Sequence, residues 1–475
     1  MINFTNSYNQ LPNEFYSNET PSAAVKPHLI AFNDKLANEL GLDCSSIDNE
    51  KLAFVFSGKE LLEKGSYISM AYAGHQFGHF VPSLGDGRAI LMGEVTDREG
   101  LLYDIHLKGA GRTHFSRRGD GRSSLGPVLR EYIVSEAMYH LGVPTTRALA
   151  AVLTGDDVFR EDIFPGGVFT RVARGHIRVG TFEYFFSREE HHNVKTLSDY
   201  AIARFDKDLI DHEDKYNQFF DRIVTRKLSL VAKWMGLGFI HGVMNTDNTS
   251  ISGETIDYGP CAFMDKFSFD KVFSSIDRHG RYRYANQGNI ALWNLSVLAN
   301  TLFPLLKRDE ENDEEVVQRL QQKFKEYSAY YEAQWLKVMG NKIGIFDPHP
   351  SDSELINDFL LTMENHGLDF TNTFRSLHNF DFVDEEISSR WHQRLKEQGK
   401  GFDEVRELMD SVNPFIIPRN HQIEKAINDA IDGNFEHFHF LRNAFGNPYK
   451  EESDLLSLTV EPLAGEVVTK TFCGT

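Results

Sequence analysis

The sequence predicts an α+β fold in two lobes, and three observations predict it. At 475 residues the chain is longer than the roughly 250–300 residues over which one hydrophobic core grows. Its first half alternates strand-like apolar runs with Gly-rich turns, whereas its second half reads as amphipathic helices separated by Asn, Asp and Pro. The halves meet at Ile240 to Gly259, IHGVMNTDNTSISGETIDYG, where Asp247 and Asn248 stand side by side and Asp257 opens an Asp-Tyr-Gly triplet. Oxygen ligands at that interval suit a nucleotide-bound Mg²⁺, which takes one or two protein carboxylates and fills its remaining positions with phosphate oxygens and water.

Residues 1–70 carry turn signals at Leu11-Pro12-Asn13 and Pro21-Ser22 and one short helical pattern, Ala31 to Leu40. They are expected to wrap a neighbouring lobe rather than to form a domain. Residues 71–185, opened by AYAGHQFGHF, are expected to form the small lobe of a protein-kinase-like fold. Two strands, Arg88 to Val95 and Leu101 to Leu107, flank a turn at Asp97 to Gly100, and Lys108 leaves the second strand beside Gly109 and Gly111. Between Asp104 and Arg130 stand Lys108, Arg112, Arg117, Arg118, Arg122 and Arg130 against Asp104 and Asp120, a positive island in a chain of formal charge −19. Glycines let backbone N–H groups approach an anion and Arg pairs phosphate oxygens two at a time, so a polyphosphate is the natural guest. Gly-Asp-Gly-Arg occurs at Gly85 to Arg88 and again at Gly119 to Arg122, a repeat that two tight turns would also explain.

A helix from Pro127 to Leu141 follows, stopped by Gly142 and Pro144. In kinase-like small lobes a helix Glu orients the strand Lys. Glu136 is the first choice for that role and Glu131 the second, the alternative being that both are solvated helix charges. Apolar runs at Ala148 to Leu153 and Val168 to Val172 read as further strands, and the second leads into Arg171, Arg174 and Arg178, of which Arg171 and Arg178 could turn toward one anion.

Residues 186–460 are expected to form a mostly helical large lobe. Asp221 to Met235 leads into the Ile240 to Gly259 stretch, and Ile290 to Leu306, Glu315 to Val338, Ser353 to Thr362, Glu385 to Leu395, Phe402 to Val412 and Gln422 to Ile431 continue it as a helical extension. Residues 461–475 read as a flexible tail with Cys473 third from its end. A composition of 41% hydrophobic and 25% charged residues is that of an ordered globular chain. The charge of −19 argues against a nucleic-acid partner, which requires Lys and Arg to neutralise phosphates. No run of about 18 apolar residues and no basic-then-apolar leader is present, so a soluble cytoplasmic protein without a membrane partner, monomeric by default, is expected. Cys44, Cys261 and Cys473 are too few and too scattered for a disulfide framework or a thiolate zinc site.

Set against the kinase pattern H-R-D-x-x-x-x-N followed by D-x-G, the register holds at His241, Asn248 and Asp257. It fails at the catalytic Asp, where this chain has Val243. The metal ligands are kept and the usual base is missing. The residues by themselves also admit a β-hairpin built on Asn, Asp and Gly turns, an ordinary kinase, or a catalytically silent ATP-binding scaffold.

The blocks YAGHQFGHF, LGDGRAILMGE, DIHLKGAGRTHFSRRGDGRSSLGPVLREYIVSEAM, LGVPTTRAL, FTRVARGHIRVGTFEYF and GFIHGVMNTDNTSISGETIDYGPCAFMD together resemble the selenoprotein O family of kinase-like protein adenylyltransferases, called YdiU in bacteria. The resemblance implies a kinase-like fold with ATP bound in a reversed orientation, so that AMP passes to Ser, Thr or Tyr hydroxyls of proteins, the enzyme itself included, and pyrophosphate leaves. It implies an ATP-binding set of Gly85, Gly87, Arg88, Lys108, Asp120, Gly121, Arg171 and Arg178, with Asp257 also facing the nucleotide. Asn248 and Asp257 match the ligands of Mg²⁺ or Mn²⁺, and Asp247 matches the general base. UMP transfer with Mn²⁺ is a variant of the same chemistry. Eukaryotic members carry selenocysteine third from the C-terminus, where this chain has Cys473. Oxidation is expected to bridge Cys473 within the chain, with Cys261, four residues past Asp257, the favoured partner over Cys44; an unpaired tail thiol is the alternative.

Overall fold

A computed structural model describes residues 2–471. Seven strands form one antiparallel sheet in the order Tyr16–Asn18, Ile68–Met70, Ala89–Thr96, Leu102–Lys108, Ile163–Ala173, Arg147–Phe159, His28–Phe32, with the short Ser123–Ser124 added against Ile163–Ala173. Both ends of that order come from the N-terminal segment. A sheet edge offers unpaired N–H and C=O groups, and here the two outermost places are taken by short strands of the N-terminal segment, three and five residues long. Between them the chain crosses the end of the sheet, with Ser22 N–H donating to Ala110 O (2.8 Å) and Lys26 N–H to Thr154 O (2.9 Å). The helix expected from Ala31 starts later, at Asp34–Glu39, because Ala31 and Phe32 are in the edge strand and Asn33 caps the helix by accepting from Leu36 N–H (3.1 Å).

Strand periodicity sorts the side chains of Leu102–Lys108. Ile105 and Leu107 join Leu36, Leu52 and Phe56 in a core between sheet and wrap. Asp104, His106 and Lys108 point the other way, toward the helical part, and Arg171 is registered opposite His106 on the next strand. That face is covered by the helix Leu125–His140, twelve of whose sixteen residues are buried, including Arg130, Glu131 and Glu136. Buried charges must be paired. Arg130 reaches Asn420 (3.3 Å) and Glu424, on the helix Asn420–Ile431, so this element is pinned to the helical part by charge as well as by apolar packing.

The helical part is built on Lys215–Gly236, which packs against Gln287–Leu306 and the thirty-residue Asp313–Lys342. A further core gathers around Trp391, Phe359 and Ile343. Among the described residues one stretch, Tyr284–Leu306, is long and apolar enough to cross a bilayer, with mean hydropathy 1.3, and half of it is buried inside the molecule. A two-stranded ribbon, Phe239–Ile240 with Ala262–Phe263, holds the loop between them. The stretch expected to be a flexible tail is held at Thr471. Thr471 is buried, its N–H donates to Phe273 O (2.8 Å) and its hydroxyl to Pro260 O (2.6 Å).

One buried ion cluster ties wrap, sheet and helices together. Arg204, 6% exposed on the helix His191–Phe205, pairs with Glu94 and with Asp104 (2.5 Å), while Glu94 also accepts from Ser7 Oγ (2.8 Å) and Tyr8 N–H (2.7 Å). Replacing Arg204 by Leu strands two buried carboxylates, a change that costs about 3–5 kcal/mol. The expected outcome is a large fall in the urea midpoint; a variant as resistant as the wild type would show the cluster to be dispensable.

Candidate functional site

The ends of the lysine strand, the strand Ile163–Ala173 and the loop 241–261 converge on one carboxylate. Asp257 Oδ1 accepts from Lys108 Nζ (2.8 Å) and Arg171 Nη1 (2.7 Å), and its Oδ2 accepts from Arg178 Nη1 (3.0 Å). Asp257 holds a left-handed backbone, φ +64°, which costs a non-Gly residue energy and persists only where its surroundings fix it. Here three cations do so. Burial pushes the Asp257 carboxyl up, and Lys108, Arg171 and Arg178 together outweigh burial, leaving it well below the usual carboxylate range.

The helix glutamate that meets Lys108 is Glu131, with Nζ–Oε2 2.5 Å; the same carboxylate lies 3.5 Å from Arg171 Nη1. The first choice, Glu136, is corrected. Five residues at 3.6 per turn place it about 140° round the helix from Glu131. It faces away, where it takes Arg147 Nε (2.8 Å), Asn33 Nδ2 (2.8 Å) and Ala148 N–H (2.9 Å).

In the loop, His241 is buried, with Nε2 2.9 Å from Ile256 O, and burial beside Lys227 lowers it to about 4. Asn294 Nδ2 donates to Met244 O and Thr249 Oγ1, both at 2.9 Å. So held, a 3₁₀ turn at Thr246–Asn248 presents Asp247 and Asn248. Val243, at the kinase base position, is apolar and 4% exposed, and its carbonyl accepts from Asn248 Nδ2 (3.0 Å). Asp247 Oδ2 accepts from Gln76 Nε2 (3.3 Å), and its Oδ1 is buried without a partner among the described residues. Its backbone carbonyl accepts from Arg178 Nη1 (2.6 Å), the same nitrogen that binds Asp257. Burial pushes the Asp247 carboxyl up to about 7 against the pull of Arg178.

A cleft of about 920 Å³ opens in front of Asp247, and Gly85, Gly87, Arg88, Asp120 and Gly121 line it together with Tyr72, Gln76, Arg117, Arg118, Arg122 and Arg160. A Cβ at Gly85 would lie 2.1 Å from the Phe115 ring and one at Gly121 2.0 Å from Gly111 O, each at positive φ, so the cleft wall requires glycine at both places. Arg88 also lines the narrow pocket that reaches Lys108 and Glu131, and so joins the cleft to the cations. Asp120, 44% exposed, is bound by Arg160 (2.9 and 3.0 Å) and Arg122 N–H (2.9 Å), which makes it a shaper of the rim. Arg112 turns away to Arg117 O (2.9 Å), and Arg174 takes Leu102 O (3.3 Å).

Several residues of this site were not singled out from the sequence. Asp86, between the cleft glycines, accepts from Met70 N–H (3.1 Å) and lies 3.7 Å from Arg178; burial pushes it up to about 6. Tyr72 stacks on Arg178 at 4.5 Å. Gly74 abuts Asp247 so closely that a Cβ would lie 2.6 Å from Oδ1, and His75 N–H donates to Thr246 Oγ1 (2.7 Å), so AYAGHQFGHF grips the Asp247 turn. His106 and His176 lie beside Arg171. The polar alternation of Asp-Ile-His-Leu-Lys at residues 104–108 was the readable signal for a charged strand face.

No group of three or more His, Cys, Asp or Glu forms a preformed metal cluster among the described residues. The donor set nonetheless fits a hard cation that brings phosphate and water as its other ligands. Asn248 and Asp257 are oxygen donors, Asp247 Oδ1 is an unmet buried acceptor, and a polyphosphate that drew off the three cations would leave Asp257 in need of a new one. Cys261 is buried beside Pro260, the residue Thr471 binds, whereas Cys473 lies outside the described residues.

The profile of the family described as "Protein adenylyltransferase SelO" matches residues 1–445. "Protein nucleotidyltransferase YdiU" of Agrobacterium fabrum is 48% identical over 490 residues, covering 100% of both chains. The protein of the same description from Rhizobium johnstonii is 48% identical and covers 99% of this chain and 97% of its own. That from Bradyrhizobium diazoefficiens, also 48% identical, covers 99% of each.

An Asp that titrates at 3.8 when unfolded and at about 7 when folded stabilises the fold fully below the first value and loses that stability as pH rises through the second. Asp247→Asn removes the ionisation. The melting temperature of the variant minus that of the wild type should therefore grow between pH 5 and pH 8; a difference that stays flat would mean Asp247 ionises as an ordinary carboxylate.

Proposed function

The chain belongs to the protein adenylyltransferase SelO family and is a nucleotidyltransferase, and we propose that it transfers AMP from ATP to Ser, Thr or Tyr hydroxyls of proteins, itself included, with release of pyrophosphate. One observation carries this reading. The position from which a kinase removes the hydroxyl proton is a buried Val243, while the cleft ends on Asp247, whose carboxyl burial pushes up to about 7 and whose Oδ1 has no partner among the described residues. A base near its operating pH both holds and releases a proton readily.

In this reading the fold is kinase-like and two-lobed: the sheet with Leu125–His140 is the small lobe, wrapped by residues 1–70, residues 186–460 are the large lobe, and residues 461–475 form the tail. Gly85, Gly87, Arg88 and Gly121 admit the nucleotide. Lys108, Arg171 and Arg178 exchange Asp257 for its β- and γ-phosphates, where negative charge grows as the bond from the α-phosphorus to the bridging oxygen breaks. The hydroxyl oxygen forms the new bond to the α-phosphorus and its proton passes to Asp247. Mg²⁺ or Mn²⁺ bound by Asn248 and Asp257 would supply positive charge at the phosphate oxygens. Glu131 keeps Lys108 in place while Asp257 changes partners.

ATP labelled separately at the α and γ positions tests the reaction. Protein-bound label should come from the α position alone; γ-label on protein without α-label would establish a kinase instead.

Glu131→Ala should lower turnover at least about tenfold, equivalent to roughly 1.4 kcal/mol of transition-state stabilisation. Glu136→Ala should lower the melting temperature and leave turnover per folded molecule unchanged. The reverse pattern in the paired assay would return Glu136 to the lysine.

A further inference from the structure

Arg171 is 1% exposed, and both edges of its guanidinium have partners. Its Nη1 faces the site, on Asp257 and Glu131. Its other edge meets two imidazoles: Nε donates to His176 Nε2 (3.1 Å), and Nη2 lies 3.5 Å from His106 Nδ1. The two rings are stacked, with centroids 3.6 Å apart and planes at 5°. Behind them, Asp104 Oδ2 accepts from both the His176 backbone N–H and Nδ1, each at 2.9 Å. A carboxylate acceptor at Nδ1 and a guanidinium donor at Nε2 fix one tautomer, with the proton on Nδ1 and the lone pair of Nε2 aimed at Arg171. Burial and the adjacent Arg171 hold His176 well below the ordinary imidazole range, and burial and His176 do the same to His106.

Arg is more often oriented by carboxylates, which also cancel its charge. Imidazole is different. A neutral acceptor fixes the direction of the guanidinium and leaves its positive charge whole on the side that faces the site. Asp104, the anion that orients the imidazole, is itself neutralised by Arg204 (2.5 Å) and stands one ring away from Arg171.

We infer that His176, supported by His106, is a positioning residue that aims Arg171 at the departing diphosphate without neutralising it. The inference rests on the proposed adenylyl transfer, in which Arg171 exchanges Asp257 for phosphate oxygens. Throughout that exchange Nη1 changes partner, while the edge bonded to His176 stays fixed. The imidazole thus keeps the cation from following Asp257.

Two variants of similar polarity separate aiming from mere packing. In His176→Gln the amide oxygen can reach the position of Nε2, whereas in His176→Asn the amide reaches only the Asp104 side. We expect the Asn variant to lose at least tenfold in kcat and at least tenfold in affinity for inorganic pyrophosphate, read by calorimetry. The Gln variant should stay within about threefold of the wild type in both. Equal values for the two variants, or an Asn variant that does not fold by circular dichroism, would make His176 a structural residue and overturn the inference. So would an Asn penalty that persists undiminished in an Arg171→Lys background, since the effect would then not pass through Arg171. The wild type separates this outcome from failure of the parent reading: if it transfers no α-label, the reaction is wrong, and the pyrophosphate measurement still decides whether His176 aims Arg171 at a diphosphate.

Discussion

The site is organised by the repulsion of three cations that the fold forces together. Lys108, Arg171 and Arg178 come from a strand end, a strand interior and the residue capping a helix, and each is buried. They can share so small a volume only because Asp257 lies between them, with Glu131 and Asp86 behind. Bringing such charges out of water is costly unless they are paired, and the pairing that stabilises the empty site is the one a polyanion must replace. In the proposed reaction, binding is therefore an exchange of anions rather than an addition. On the proposed reading the site is preformed for a triphosphate because the protein's own carboxylate already occupies it.

That constraint also explains which residues the sequence disclosed. Most long helices of the second half were legible to within a few residues, Phe402–Val412 at both ends, because an amphipathic helix repeats one signal many times, whereas the short Phe370–Ser376 and Glu436–Ala444 were not. The glycines of the cleft and the cations were legible because their chemistry is local: Gly85 and Gly121 sit where no Cβ fits, and Lys108 leaves a strand next to glycines. The choice between Glu131 and Glu136 was not. Both lie on one helix, both are buried, and what separates them is the rotation of that helix on the sheet, a tertiary property with no trace in a five-residue interval. The same holds for the edge strands Tyr16–Asn18 and His28–Phe32, which are too short to show a period and exist because distant strands offer them partners.

Asp86, His106 and His176 escaped for another reason. Each is defined by what it touches across the sheet, and a single His or Asp in a Gly-rich or Arg-rich run reads as a turn or a surface group. Their burial becomes intelligible once the charges are counted along one line, from Glu94 and Arg204 through Asp104 and His176 to Arg171 and Asp257. Signs alternate along that line except at His176, where a neutral ring stands between Asp104 and Arg171. The line begins at Ser7 and Tyr8, so the first residues of the wrap and the innermost residue of the site belong to one electrostatic structure.

The closing of both sheet edges by the first residues of the chain sets a schedule for biosynthesis. His28 pairs with Leu153, and Tyr16 with Met70, so the earlier segment must wait for a partner that the ribosome has not yet delivered. At roughly 5–20 residues per second, the outer strand His28–Phe32 emerges some 6–25 s before the strand Arg147–Phe159 with which it pairs. During that interval the apolar run Leu29, Ile30 and Ala31 has no strand to pair with, and an unpaired apolar strand-former is a site for pairing with another chain. The edge segments of this protein are thus first made and last docked: the part that completes the sheet is synthesised before the strands it pairs with.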